Sequence, residues 1–185
     1  MIHWYTDLNT PPQDCSPQQW QWLIQADSLT ARLERVGGEK MALKLLSADW
    51  QKPIAEEQTW LSEIKPDDMI WVREIVHTYQ EQPWVWARTL IPETTIKATN
   101  IDAKTTEPIG RILFREPTLK RDPFAWARLS AEHPYTDMMR AHHCDLSSLP
   151  WLRRSVFWYQ GYPLLIVEAF LSVFFNAQKE HVFPE

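Results

Sequence analysis

Apolar positions recur along this chain with two different periods, and the change from one to the other marks the elements. Ser16-Pro17-Gln18-Gln19 places a serine at an N-cap, a proline at the first helical position and a glutamine three residues after the cap. This predicts a helix running to about residue 25. Asp27-Ser28 predicts a second N-cap, because Leu29, Leu33 and Val36 follow at i, i+4 and i+7 and Gly37-Gly38 then stops the pattern. From Met41 to Leu46 the period drops to two and a strand is expected. Residues 48–68 are polar and proline-marked, which predicts a loop. Residues 70–79 (IWVREIVHTY) and 84–91 (WVWARTLI) are rich in β-branched and aromatic residues. With Gln80-Glu81-Gln82-Pro83 as the turn between them, they predict a hairpin. Pro108 predicts a short helix over 109–114, and by the same reasoning Asp122-Pro123 predicts one through residue 128. Residues 130–150 follow no single period. Residues 156–159 and 163–170, joined at Gln160-Gly161, predict a further hairpin. Hairpins with helices between them imply an α+β fold on an antiparallel sheet.

The length of 185 residues fits one domain spanning 1–185. The 44% hydrophobic content and only four glycines exclude a disordered or Gly-rich linker protein. With 19 Lys+Arg against 24 Asp+Glu the net charge is −5, which argues against a nucleic-acid partner. The aromatic content is high: 11 Trp, 5 Tyr and 7 Phe supply flat surface for a dense core or for a pocket that takes a flat ligand. The first fourteen residues lack the basic and apolar regions of a signal peptide. The longest apolar run, 162–175, is too short to span a bilayer and is interrupted by Glu168 and Ser172. Cys15 and Cys144 have neither metal-site nor disulfide-framework spacing. A cytoplasmic protein with two free thiols is expected.

Three charged residues break apolar strand patterns. Glu168 shares a strand face with Leu164, Ile166 and Phe170, where a carboxylate must be paired, hydrogen-bonded or protonated. It is either an acid/base or ligand-hydroxyl partner in a pocket, or one half of a structural ion pair. Arg73 lies on a face with Trp71 and Ile75, and Arg88 on one with Trp84, Trp86 and Leu90. Guanidinium groups among aromatic and aliphatic neighbours suit a planar carboxylate, although an arginine stem covering apolar surface is the plainer alternative. His133 and the run His142-His143-Cys144 invite a metal reading, but their spacing fits no zinc pattern and a polar surface loop is expected there. Arg111, Arg115, Lys120 and Arg121 alternate with Glu116 and Asp122 and read as a solvated face.

Several ordered blocks resemble the chorismate pyruvate-lyase (4-hydroxybenzoate synthase) family. They are residues 22–37 (WLIQADSLTARLERVG), 71–75 (WVREI), 83–92 (PWVWARTLIP), 108–114 (PIGRILF), 118–122 (TLKRD) and 151–171. The likeness covers about 20–174, leaving 1–15 and 175–185 as terminal extensions. The resemblance implies an antiparallel sheet with helices closing over a buried ligand, and removal of pyruvate from chorismate to give 4-hydroxybenzoate for ubiquinone biosynthesis. It implies no cofactor, no metal and no protein partner, with chorismate as substrate and 4-hydroxybenzoate as a retained product. By the same resemblance Arg73 holds the ring carboxylate and Glu168 bonds the 4-hydroxyl, while Leu29 and Ile109 contact the ligand. Both of these follow helix-opening residues, so their backbone N–H groups would favour an anion. Chorismate is a dianion, and Arg88 is the candidate for its second carboxylate. Ala87 stands where the family often has glycine. Trp71, Trp84 and Trp86 are the tryptophans expected near the pocket. The alternative is a non-catalytic module of the same fold that senses a small aromatic acid.

Overall fold

The computed structural model describes residues 2–61, 64–65 and 67–180. Its helices begin where the caps predict. Helix α1 (Pro17–Ile24) carries a full capping box, with Ser16 Oγ accepting from Gln19 N and Gln19 Oε1 accepting from Ser16 N. Helix α2 (Leu29–Gly37) is capped by Ser28 and ends at Gly38, whose φ of 73° places it in the left-handed region that glycine adopts without strain.

Strand β1 (Ala42–Gln51) continues past the expected end into the predicted loop, and helix α3 (Ala55–Trp60) occupies more of that loop. Backbone pairing with the next strand holds the polar stretch Ser47–Gln51 extended despite its composition. Ile54 N donates to Glu57 Oε2 at 3.0 Å at the start of α3. Residues 62, 63 and 66 of the expected loop lie outside the described residues.

The hairpin of β2 (Ile70–Tyr79) and β3 (Gln82–Ile91) forms as predicted, followed by α4 (Glu93–Thr99) and α5 (Ile109–Leu113). After the short β4 (Lys120–Arg121), the helix expected from Asp122-Pro123 is instead strand β5 (Ala125–Arg128). Asp122 does not cap a helix: its Oδ1 accepts from Trp158 Nε1 at 3.0 Å, and its N–H donates to Val156 O at 2.9 Å, which ties the chain to the sheet. Helix α6 (Pro134–Ala141) fills the stretch without a clear period. The hairpin of β6 (Trp151–Tyr159) and β7 (Tyr162–Phe170) then leads to α7 (Ser172–Glu180).

Among the described residues all pairings are antiparallel, in one seven-stranded sheet of order β1-β2-β3-β7-β6-β4 with β5 also on β6. The fold is therefore α+β, as expected. Both faces of the central strands are buried. One face packs Val72, Trp86, Leu90, Leu152 and Val167 against Tyr135 and Met139 of α6. The other carries two separate apolar clusters, one with α1, α2 and α7 and one with α5. Phe174 and Phe175 of α7 pack in the first of these, so the core reaches the first residue of the expected C-terminal extension, and residues 181–185 lie outside the described residues. The N-terminal segment is also tied in: Tyr5 bridges Trp126, and Trp4 Nε1 donates to Glu56 Oε1 at 2.7 Å.

Candidate active site

The two clusters on the second face leave a gap between them, and the sheet's register decides which residues fill it. Ile75, Ala87, Glu168 and Arg153 form one row across β2, β3, β7 and β6. The adjacent row is Arg73, Thr89, Ile166 and Ser155. Small Ala87 and Thr89 leave room above the middle of the sheet. The starts of α2 and α5 close over them, with Leu29 on one side and Pro108, Ile109 and Gly110 on the other. The enclosed cavity offers about 50 Å³ to the centres of water-sized molecules. One water needs roughly 10–15 Å³ by that measure, so the space exceeds a single solvent site.

Arg73, 1% exposed, is not among the residues that line the cavity but pairs across the sheet with Thr89, which does line it. Its Nη2 donates to Glu107 O at 2.9 Å, while Nε and Nη1 are buried and have no partner among the described residues. Burial lowers its pKa, and Asp102 opposes the shift. A buried guanidinium with two free donors is costly by itself and suits an anion. Glu168 stands two strands away and one row along. From strand spacing and rise, their Cα atoms are about 12 Å apart. Glu168 Oε2 accepts from Arg153 Nε, and Arg153 Nη1 also donates to Trp22 O at 2.8 Å and Gln25 O at 3.0 Å. One guanidinium thus fixes the carboxylate and the chain leading into α2.

Leu29 and Ile109 are the first residues of α2 and α5, and both line the cavity. The opening N–H groups of a helix have no partner within it. Ser28 Oγ accepts from Ala31 N at 3.4 Å, which leaves the N–H groups before Ala31 to other partners.

Arg88 is elsewhere. Ala87 and Thr89 face the cavity, so Arg88 between them points to the opposite face of the sheet. There its Nε and Nη2 grip Glu57 at 2.7 and 3.3 Å, and Nη1 donates to Glu74 Oε1 at 2.5 Å. Tyr135 OH donates to the same Glu57 at 3.0 Å. These carboxylates raise the pKa of Arg88 against its burial. The expected carboxylate binder is a structural ion-pair centre.

Other expectations also change. His133 is 2% exposed rather than on a surface loop: it caps α6 and its Nε2 lies 3.3 Å from Glu56 Oε2. His142 faces Glu74 at 3.5 Å. Among the described residues no three His, Cys, Asp or Glu side chains gather to hold a metal ion. Trp71, Trp84 and Trp86 do not line the cavity; its aromatic walls are Phe114, Phe124 and Phe157. Trp71 donates to Ala103 O at 2.8 Å, Trp84 packs on Tyr79 and Phe174, and Trp86 packs on Tyr135 across the sheet. Arg121, read as part of a solvated face, is half-buried and lines the cavity.

Two lining residues carry a signal that pattern reading missed. His77 continues the alternation of Trp71, Arg73 and Ile75; it is 4% exposed, and its Nδ1 has no partner among the described residues. Burial, with the charges of Arg73 and Arg111, pushes its pKa down to about 4, so it is a neutral imidazole near pH 7. Arg153 is the residue directly across from Glu168, visible only once the β6–β7 register is known.

Relatives share this sequence over most of its length. A probable chorismate pyruvate-lyase of Halorhodospira halophila is 30% identical over 168 residues, covering 90% of this chain and 88% of the relative. One from Bordetella avium is 32% identical over 167 residues, covering 89% and 82%. The chorismate pyruvate-lyase of Pectobacterium carotovorum is 28% identical over 174 residues, covering 92% and 84%. Among solved structures, the C-terminal domain of the histidine utilization repressor from Pseudomonas syringae pv. tomato shares the fold with a TM-score of 0.55 at 12% identity. That match covers 79% of this chain and 97% of the domain. No helix among the described residues is long and apolar enough to cross a membrane. Residues 5–180 match the family model described as chorismate lyase, and the chain belongs to that family.

Proposed function

We propose that this protein is a chorismate pyruvate-lyase, cleaving chorismate to 4-hydroxybenzoate and pyruvate without a cofactor, at the step that commits carbon to ubiquinone biosynthesis in the cytoplasm. One observation carries the site assignment. Glu168, held by Arg153, lines a cavity with Ala87 and Thr89, and Arg73, next to Thr89 in the same row of the sheet, has two buried N–H donors without a partner among the described residues. A ring bearing a carboxylate at one end and a hydroxyl at the other fits that spacing.

In this reading Arg73 binds the ring carboxylate and Glu168 accepts the hydrogen bond of the 4-hydroxyl. The N–H groups at Leu29 and Ile109 face the anion from the helix starts. The C3–O bond breaks with its electron pair leaving on the enolpyruvyl oxygen, and the C4–H pair enters the ring and makes it aromatic. The hydrogen lost from C4 is balanced by the one the enolpyruvyl methylene gains in becoming the methyl group of pyruvate. The residues hold the reactive conformer and set positive charge around the departing enolpyruvyl group. Glu168 orients C4 through the adjacent hydroxyl. The product keeps both groups that Arg73 and Glu168 recognise, so it is retained. All the residues serve as one domain.

The test is direct: purified protein given chorismate releases 4-hydroxybenzoate and pyruvate in equal amounts, with or without a chelator. Tight 4-hydroxybenzoate binding with no product formed would overturn the lyase reading in favour of an effector-sensing module.

A further inference from the structure

The geometry points to Arg121 as the residue that takes the second carboxylate of the substrate, the one on the enolpyruvyl group, so that it separates the dianionic substrate from the monoanionic product. The inference rests on the lyase reading and replaces the expected role of Arg88.

The charge inventory of the cavity leads to it. Arg121 and Arg153 line the cavity, and Arg153 is paired with Glu168; Arg111, outside the lining, is paired with Glu34 at 2.5 Å. Arg73 and Arg121 have no carboxylate within ion-pair distance among the described residues. Two unpaired guanidinium groups match a ligand with two carboxylates.

Their placement matches it too. Arg73 is on β2, and Arg121 is on β4, four strands away in the sheet order. The guanidinium of Arg121 lies 4.0 Å from the centre of the Phe124 ring, and that of Arg153, which holds Glu168, lies 4.4 Å from the same ring. Arg121 therefore sits at the Glu168 end. In chorismate the enolpyruvyl ether leaves the carbon next to the one bearing the hydroxyl, so a ligand hydroxyl on Glu168 brings the second carboxylate to this end.

Arg121 is also anchored for the task. Its Nη1 donates to Ala26 O at 2.9 Å, just ahead of the Asp27-Ser28 start of α2, and Phe124 stacks beneath it. Arg121 lines both the cavity and an open groove beside Lys120, Trp158 and Gln160. It stands between the enclosed space and the outside. Burial and the nearby charge of Arg153 press its pKa down against the opposing charges of Glu168 and Asp27, and a further anion at this point would favour its charged form.

The experiment compares two ligands on the same variants. Wild type, Arg121→Gln and Arg121→Met are assayed for chorismate turnover, and 4-hydroxybenzoate binding is measured by titration. Arg121→Met keeps an apolar stem over Phe124 if the polar replacement fails to fold. Loss of a charged hydrogen-bond partner predicts a rise in KM for chorismate of about 10- to 100-fold. The Kd for 4-hydroxybenzoate, which has no second carboxylate, stays within about threefold. Arg121→Lys keeps the charge and recovers part of the lost affinity. An unchanged KM, or chorismate and product affinities falling together, would overturn the assignment and leave Arg121 a wall of the cavity. Absence of turnover in wild type would instead strike the lyase reading, and the two ligands' binding to the variants would still report on Arg121.

Discussion

Arg153 faces Glu168 directly across the β6–β7 pair, and the guanidinium that fixes this carboxylate also fixes the carbonyls of Trp22 and Gln25. Removing either partner leaves the other largely buried and uncompensated. Arg153→Met is expected to cost about 3 kcal/mol in urea unfolding and to weaken 4-hydroxybenzoate binding. Arg153→Met with Glu168→Leu is expected to recover most of the stability and none of the binding. Glu168→Gln should keep the fold and lose much of the turnover; full activity in that variant would refute its place at the hydroxyl.

Arg73 predicts the opposite relation between stability and function. Its Nε and Nη1 lie buried without partners among the described residues, so the protein without ligand carries the desolvation cost of a charge it does not use for folding. Arg73→Met is expected to leave stability unchanged or raise it by about 1 kcal/mol while abolishing measurable 4-hydroxybenzoate binding. Thermal melts and a ligand titration on the same preparation decide it. A clear loss of stability would mark Arg73 as structural.

Arg88 behaves in the reverse sense. Its two carboxylate partners, Glu57 and Glu74, are 0% and 5% exposed at the side chain. Arg88→Met strands both of them and is expected to cost about 3–5 kcal/mol. Any folded fraction should bind 4-hydroxybenzoate with ordinary affinity, which equilibrium dialysis at low temperature would test.

His77 makes a pH prediction. Its pKa falls from 6.5 to about 4 on folding, so between these values the unfolded chain binds more protons than the folded one. Stability from this residue is fully present above about pH 6.5 and is lost as the pH falls toward 4, by roughly 3 kcal/mol in total. Urea unfolding at pH 7, 5.5 and 4.5 should show the decline, and His77→Leu should flatten it. An unchanged slope in the variant would show that other groups set the acid limit.

The sequence made the two hairpins and the capped helices legible because their signals are local: β-branched runs, Ser16 and Ser28 caps, the Gly37-Gly38 stop. It also exposed Arg73 and Glu168, since each breaks an apolar alternation. Arg88 broke one equally well, and strand parity cannot say which buried face holds the ligand. That depended on α2 and α5 packing on one side and α6 on the other. Strand β5 was missed because the cap signal at Asp122 is local, whereas the bond from its N–H to Val156 is not. His133 and Arg121 read as surface residues because their burial comes from Glu56 and from Phe124, distant or unsuspected neighbours.

Because the central strands are buried on both sides, neighbouring residues answer to different selective demands. Ile75 and His77 line the cavity and Arg73 shares their face, while Val72, Glu74 and Val76 hold the opposite core. Libraries confined to the first set and to Ala87, Thr89 and Ile166 vary ligand scope and leave the folding network untouched. A single-residue deletion inside β2 would exchange the two sets at once, so substitution is the open route for redesign and insertion or deletion there is closed.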